Sequence, residues 1–266
     1  MPEHRTSGGP MAYVERGEGE PVVLLHAFPL NSRMWALQAE ALAGLRPSWR
    51  VITPDYPGFG RSPHPPAQPD VRYYAEQVGE LLDKLDLDRV VLGGISMGGY
   101  VAFACLRLFP ERVRALLLAN TRPEPDDEDA REARRETARK VAEEGVEGLL
   151  KLQMERLLAP STLENNKDVV ESVRGMILES SPDGAVAALG AMRERPDSTD
   201  LLGKINVPTL VIGGAEDQLS TPEIMGDMAD KIPDSRHVTL PETGHLSNLE
   251  DPEGFNAALR EFLEEL

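Results

Sequence analysis

The chain has 266 residues, a formal net charge of −17, 41% hydrophobic and 27% charged residues. That balance fits a globular chain with one large α/β domain, or a core with an inserted subdomain. The acidic surface repels phosphate backbones and excludes nucleic acid as a partner, and no apolar run is long enough for a membrane span.

Residues 1–10 read as a loose leader. They lack the apolar core of a signal peptide, so a cytoplasmic location is expected. Short apolar runs then recur: Pro21–Leu25, Arg50–Thr53, Arg89–Leu92, Val113–Leu118, Val207–Ile212 and the more alternating Arg236–Leu240. Such runs predict strands buried on both faces of a mostly parallel sheet. Between them, Ser32–Leu45, Val71–Leu85, Met97–Phe109, Thr221–Ile232 and Pro252–Leu266 place apolar residues at helical spacing. Pro63-His64-Pro65-Pro66 with Pro69 predicts a stiff surface loop.

The alternation of strand and helix breaks once. Residues 121–203 contain no convincing strand, and their apolar residues at Leu149–Leu158, Val169–Leu178 and Ala185–Met192 read as amphipathic helices. A helical cap inserted over the sheet accounts for them, leaving a core formed by residues 1–120 and 204–266. Glu124–Glu144 is crowded with charge of both signs and reads as a solvated helix, in which Asp127 with Arg131 and Glu136 with Lys140 are spaced to pair. No function is assigned to these charges.

The single cysteine, Cys105, rules out an intrachain disulfide, and its apolar helical setting marks a buried structural thiol. The five histidines show no metal-ligand clustering, and no phosphate-binding or dinucleotide fingerprint is present. No metal or organic cofactor is expected.

Gly94-Ile95-Ser96-Met97-Gly98 matches G-x-S-x-G, between a predicted strand and a predicted helix. That context forces a sharp turn, which lifts the serine hydroxyl off the sheet edge and over a helix N-terminus. Serine needs a base, and the base needs a carboxylate to orient it. For a serine presented in this way the acid and then the histidine follow in the chain. His4, His26 and His64 precede Ser96, and His237 lies inside a predicted strand, so His245 in Thr243-Gly244-His245 is the candidate base. The run Val207–Ile212 leads into Glu216 and Asp217. Either can supply the acid; Asp217 is favoured, with Glu216 as a solvated turn residue. An oxyanion hole needs two backbone N–H groups. Met97, after the serine, supplies one, and Phe28, after the early strand, is the candidate for the other.

These pieces together resemble the α/β-hydrolase superfamily from about Val22 onward. The matching segments are His26-Ala-Phe-Pro29, Asp55-Tyr-Pro-Gly-Phe-Gly-Arg-Ser62, Gly94–Gly99, the Asp217 turn and Gly244-His245. Ile95–Gly99, Leu118–Arg122 and His245–Glu250 are most similar to small bacterial esterases and 3-oxoadipate enol-lactonases. The family usually has His-Gly where this chain has His26-Ala27. The resemblance implies a helical cap, loop-shaping roles for Asp55, Arg61 and Ser62, and hydrolysis of a small ester or lactone by a monomer or small homo-oligomer. Trp35 is a candidate for either the pocket or the core. The rival readings are C–C bond hydrolysis, perhydrolase or cyanohydrin-lyase chemistry on the same residues and, from another class, a hydrolase-like protein that binds a ligand with little or no turnover.

Overall fold

The computed structural model describes residues 3–6, 9–64 and 68–266. Eight strands form one sheet in the order β1-β2-β4-β3-β5-β6-β7-β8. They are β1 (Glu3–Thr6), β2 (Gly9–Arg16), β3 (Glu20–Leu25), β4 (Trp49–Pro54), β5 (Val90–Ile95), β6 (Val113–Ala119), β7 (Thr209–Gly214) and β8 (Ser235–Leu240). Pairing is parallel from β4 through β8, while β1 and β2 run antiparallel at one edge. The six apolar runs of the sequence become β3 to β8. The leader does not hold: its described residues form β1 and the start of β2, and Tyr13–Arg16 pair with Val51–Pro54. Met11, Ala12 and Tyr13 are buried, so this segment covers an edge that would otherwise expose unpaired backbone. Of the proline-rich loop, residues 65–67 lie outside the described residues.

Helices α1 (Ala36–Ala43), α2 (Val71–Lys84) and α3 (Met97–Leu108) connect the first strands. Between β6 and β7 come six helices and no strand: α4 (Glu128–Glu144), α5 (Val146–Leu157), α6 (Pro160–Asn165), α7 (Lys167–Leu178), α8 (Pro182–Arg193) and α9 (Thr199–Leu202). The chain closes with α10 (Pro222–Asp230), α11 (Ser247–Glu250) and α12 (Pro252–Glu264). Residues at the strand centres are fully buried, as Val22–Leu25 and Ala115–Ala119 show, because helices cover both faces of the parallel region. Trp35 is fully buried against Phe255 with ring centroids 5.9 Å apart, so it belongs to the core. Cys105 is buried as well, and burial pushes its thiol pKa far above the ordinary value. No described helix is long and apolar enough to cross a membrane, and no described cluster of His, Cys, Asp and Glu could hold a metal.

Charge pairing along α4 differs from the spacing-based expectation. Asp127 caps the helix by accepting from the Ala130 N–H at 2.8 Å, which takes it away from Arg131. Arg135 instead reaches Glu128 at 3.0 Å and Glu132 at 2.7 Å.

Candidate active site

The residues singled out in the sequence lie at the carboxyl ends of four of the five adjacent strands β3, β5, β6, β7 and β8. Ser96 follows β5, Asp217 follows β7, His245 follows β8 and Phe28 follows β3. Open α/β sheets bind ligands at this edge.

Ser96 sits between β5 and α3 with φ 55° and ψ −115°. A non-glycine residue in that region carries strain of about 1–3 kcal/mol. The surroundings enforce it. The Ser96 N–H is shared between the Ala119 and Asn120 carbonyls at 3.1 Å each, and the Thr121 hydroxyl donates to the Ser96 carbonyl at 2.9 Å. The turn is so tight that a Cβ on Gly98 would lie 2.3 Å from the Leu25 carbonyl oxygen, and a Cβ on Gly94 would lie 2.2 Å from the Gly98 backbone. Glycine is required at both positions.

His245 Nδ1 lies 2.8 Å from Asp217 Oδ2. Asp217 is 3% exposed, whereas Glu216 is exposed, so burial separates the two neighbouring candidates. The carboxylate is held from several directions: Leu219 and Ser220 N–H groups donate to Oδ1, and Asn120 Nδ2 donates to Oδ2 at 2.9 Å. Burial alone would raise the Asp217 pKa. The charge of His245 and the hydrogen bonds from His245, Asn120 and Leu219 outweigh it and leave the carboxyl below its ordinary value. His245 Nε2 is buried and makes no hydrogen bond to the described residues. With Nδ1 turned to the carboxylate, Nε2 remains available to a serine or a ligand, and both Ser96 and His245 line one chamber of about 130 Å³. Such contacts often close only once a substrate is bound.

Neither the Phe28 nor the Met97 N–H donates to a carbonyl among the described residues. Phe28 lines the chamber with Ser96. The preceding loop is braced by His26, which donates from Nδ1 to the Ala27 carbonyl at 3.0 Å and accepts the Tyr56 N–H on Nε2 at 3.0 Å. Full burial lowers the His26 pKa and keeps this ring neutral, as that acceptor role requires. Ala27, which replaces the usual glycine, is completely buried and absent from the chamber wall, so its methyl takes no space from a ligand. Asp55 braces the adjoining loop by accepting from the Ser32 and Arg61 N–H groups at 2.7 and 3.1 Å.

A family model described as alpha/beta hydrolase fold matches residues 20–252. This chain belongs to the α/β-hydrolase family. Similar curated proteins include 3-oxoadipate enol-lactonase 2 of Acinetobacter baylyi, 29% identical, with 93% of this chain and 90% of that protein covered. Pimeloyl-[acyl-carrier protein] methyl ester esterase of Chromobacterium violaceum is 30% identical, covering 93% of this hydrolase and 96% of the relative. Among solved structures, a thermophilic esterase from Thermogutta terrifontis with malate bound superposes with a TM-score of 0.93 at 42% identity, over 98% of this chain and 96% of the other. The enol-lactonase from Burkholderia xenovorans gives a TM-score of 0.90 at 26% identity, over 99% and 100% of the two chains.

Several residues at the hydrolase's site escaped the sequence reading. Asn120 was visible only as part of the Leu118–Arg122 resemblance. Its φ of 41° turns the side chain under Asp217, where Nδ2 also donates to the Gly244 carbonyl and Oδ1 accepts from the Ser247 hydroxyl. Glu250 joins the histidine loop to the helical segment. Its Oε1 accepts from the Gly244 and Leu246 N–H groups, and its Oε2 from the Ala159 N–H and the Thr162 hydroxyl. Burial nevertheless raises the Glu250 pKa. The charges of residues 124–144, given no function above, also need correction: Asp126 and Arg134 line the chamber that holds Ser96. A larger cavity of about 400 Å³ shares Tyr100 and Arg122 with this chamber but touches neither Ser96 nor His245.

Proposed function

We propose that this hydrolase cleaves small carboxylic esters by acyl transfer through Ser96. The observation that carries the reading is His245, fixed by Asp217 on Nδ1 and unpartnered on Nε2, in the same chamber as a serine on a strained turn. Ser96 Oγ attacks the ester carbonyl while His245 Nε2 takes its proton. Asp217 holds the imidazole in the tautomer with hydrogen on Nδ1 and stabilises the imidazolium. The Phe28 and Met97 N–H groups receive the oxyanion, His245 protonates the departing alkoxide, and the same histidine then deprotonates a water that releases the acid. No metal or organic cofactor takes part in this scheme. The helical segment 121–203 acts as the cap that excludes bulk water.

A second reading, lactone hydrolysis, is favoured by similarity to enol-lactonases over nearly the whole chain. The steps are the same, but the leaving alkoxide stays tethered to the acyl group. Hydrolysis of short p-nitrophenyl esters by wild type and Ser96→Ala tests the proposal. Turnover that disappears in the variant supports it, and equal turnover overturns it. A single turnover with no steady state identifies a ligand-binding protein instead, and a lactone panel separates the first two readings.

A further inference from the structure

His245 stands on the loop between β8 and α11, and Asp217 holds its ring at Nδ1. A second carboxylate, Glu250 at the end of α11, holds the loop itself. Glu250 Oε1 accepts from the Gly244 N–H at 3.0 Å and from the Leu246 N–H at 3.2 Å, the residues on either side of the histidine. Its Oε2 accepts from the Ala159 N–H and the Thr162 hydroxyl, both at 2.8 Å, on α6 and the residue before it. The same stretch meets the loop directly. The His245 and Leu246 N–H groups both donate to the Leu157 carbonyl at 3.1 Å, and a Cβ on Gly244 would lie 2.6 Å from the Ala159 nitrogen. Leu157 and His245 both line the Ser96 chamber.

All four of these partners are donors. An ionised carboxylate satisfies both pairs, whereas an amide of the same length accepts from one pair and turns its own donor toward the other. Stability does not account for the arrangement. Partial burial raises the Glu250 pKa, and the hydrogen bonds from Ala159, Thr162, Gly244 and Leu246 offset only part of that rise. A carboxyl whose folded pKa lies above its unfolded value costs stability as pH rises through the two values, so above the folded value the ionised group detracts from the fold. Its hydrogen bonds therefore serve placement rather than stability.

Resting on the reading of His245 as the base, we infer that Glu250 is a positioning residue of the reaction: its carboxylate ties the loop on both sides of His245 to the Ala159–Thr162 stretch of the helical segment, and so keeps the imidazole in register with Ser96. Glu250 touches no reacting atom. It acts through the backbone of residues 244–246, whereas Asp217 acts on the ring. Releasing either end of the tie lets the ring move relative to Ser96, and a displacement of about 1 Å costs on the order of 100-fold in rate.

The test compares Glu250→Gln, Thr162→Val and a control, Glu253→Gln, on an exposed acid of α12. Three quantities are read: kcat for p-nitrophenyl acetate, Tm by calorimetry, and the downfield proton resonance of His245 Nδ1, assigned by its absence from His245→Gln. In Glu250→Gln, kcat should fall by roughly 10- to 100-fold and the resonance should broaden, while Tm stays at or above the wild-type value. Thr162→Val removes one donor from the far end and leaves Glu250 in place; kcat should fall by about threefold or more, the scale of one hydrogen bond. Glu253→Gln should change none of the three. A Glu250→Gln protein with wild-type kcat and a sharp resonance overturns the proposal. So does a loss of kcat that tracks a falling Tm, which marks a structural carboxylate. Should Glu250→Gln fail to fold, Thr162→Val decides: kcat and resonance unchanged from wild type overturn the proposal. If wild type hydrolyses no ester, the hydrolase reading falls, and the resonance in the same variants still decides whether Glu250 holds the imidazole.

Discussion

At the scale of single residues, the site depends on atoms held in place before any substrate arrives. Asp217 accepts from two backbone N–H groups, Asn120 and His245, so replacing it changes the orientation of the imidazole more than the shape of the chamber. Asp217→Asn is expected to lower kcat by about 10⁴-fold with the fold intact, since the amide favours the wrong histidine tautomer. Glu216→Gln, one residue away but exposed, should leave the rate within twofold, roughly the scatter of a surface substitution. Steady-state kinetics on the two variants separates the adjacent acids. The sequence favoured Asp217 without eliminating Glu216, because both follow the same strand; the turn after β7 buries one side chain and exposes the other. Ser96 and His245 were legible for the opposite reason. The glycines around the serine are demanded by local backbone crowding, and chain order eliminates the other histidines. Asn120 had no such signature, because its role depends on a left-handed backbone and on a loop 124 residues away at Gly244.

At the scale of elements, the ends of the helical segment are joined by one ionic cluster. Asp126 precedes α4, Arg134 lies within it, and Arg195 follows α8, with Arg195 also stacked 4.2 Å over the Tyr100 ring. The side chains of Asp126 and Arg195 are 5% and 3% exposed, so Asp126→Asn strands a buried guanidinium. Urea unfolding should show a loss of about 3–5 kcal/mol, the usual cost of breaking a buried pair from one side. The cluster also fixes a pH dependence. Burial tends to raise the Asp126 pKa, but the hydrogen bonds and charges of Arg134 and Arg195 prevail and lower it. A carboxyl with a lower pKa in the folded state contributes its full stability above the unfolded value. That contribution disappears as pH falls through the folded value. Acid denaturation of Asp126→Asn should therefore be flatter than that of wild type below the ordinary carboxylate range. The sequence predicted a helical insertion but not which face of α4 would be covered: among its residues only Thr137 and Val141 are buried, too few for an apolar stripe to mark the inner side. Strand β2 was missed because its first residues fell in the leader and the rest forms no apolar run, although Met11, Ala12 and Tyr13 are all buried.

At the scale of the whole molecule, the net charge of −17 makes the folded state repel itself. Raising salt from about 10 mM to about 300 mM shortens the Debye length from roughly 30 Å to below 10 Å. The Tm measured by calorimetry should rise over that range; a falling Tm would mean that attractive surface pairs such as Arg33–Glu179 and Arg236–Glu261 outweigh the repulsion. The same view explains the close seam between the loop after β4 and the start of α8. A Cβ on Gly58 would lie 2.6 Å from the Gly184 Cα, and one on Gly184 would lie 2.4 Å from the Gly58 carbonyl oxygen, which also accepts from the Ser181 N–H and hydroxyl. Backbone meets backbone there with no side chain to act as a bearing, so neither glycine can be exchanged without separating the two layers. For a laboratory that wishes to retrain this scaffold on new substrates, the seam is a position to leave out of the library. Diversity belongs at wall positions such as Thr137, Gln153 and Leu189, where new shapes can be sampled without disturbing the joint that carries them.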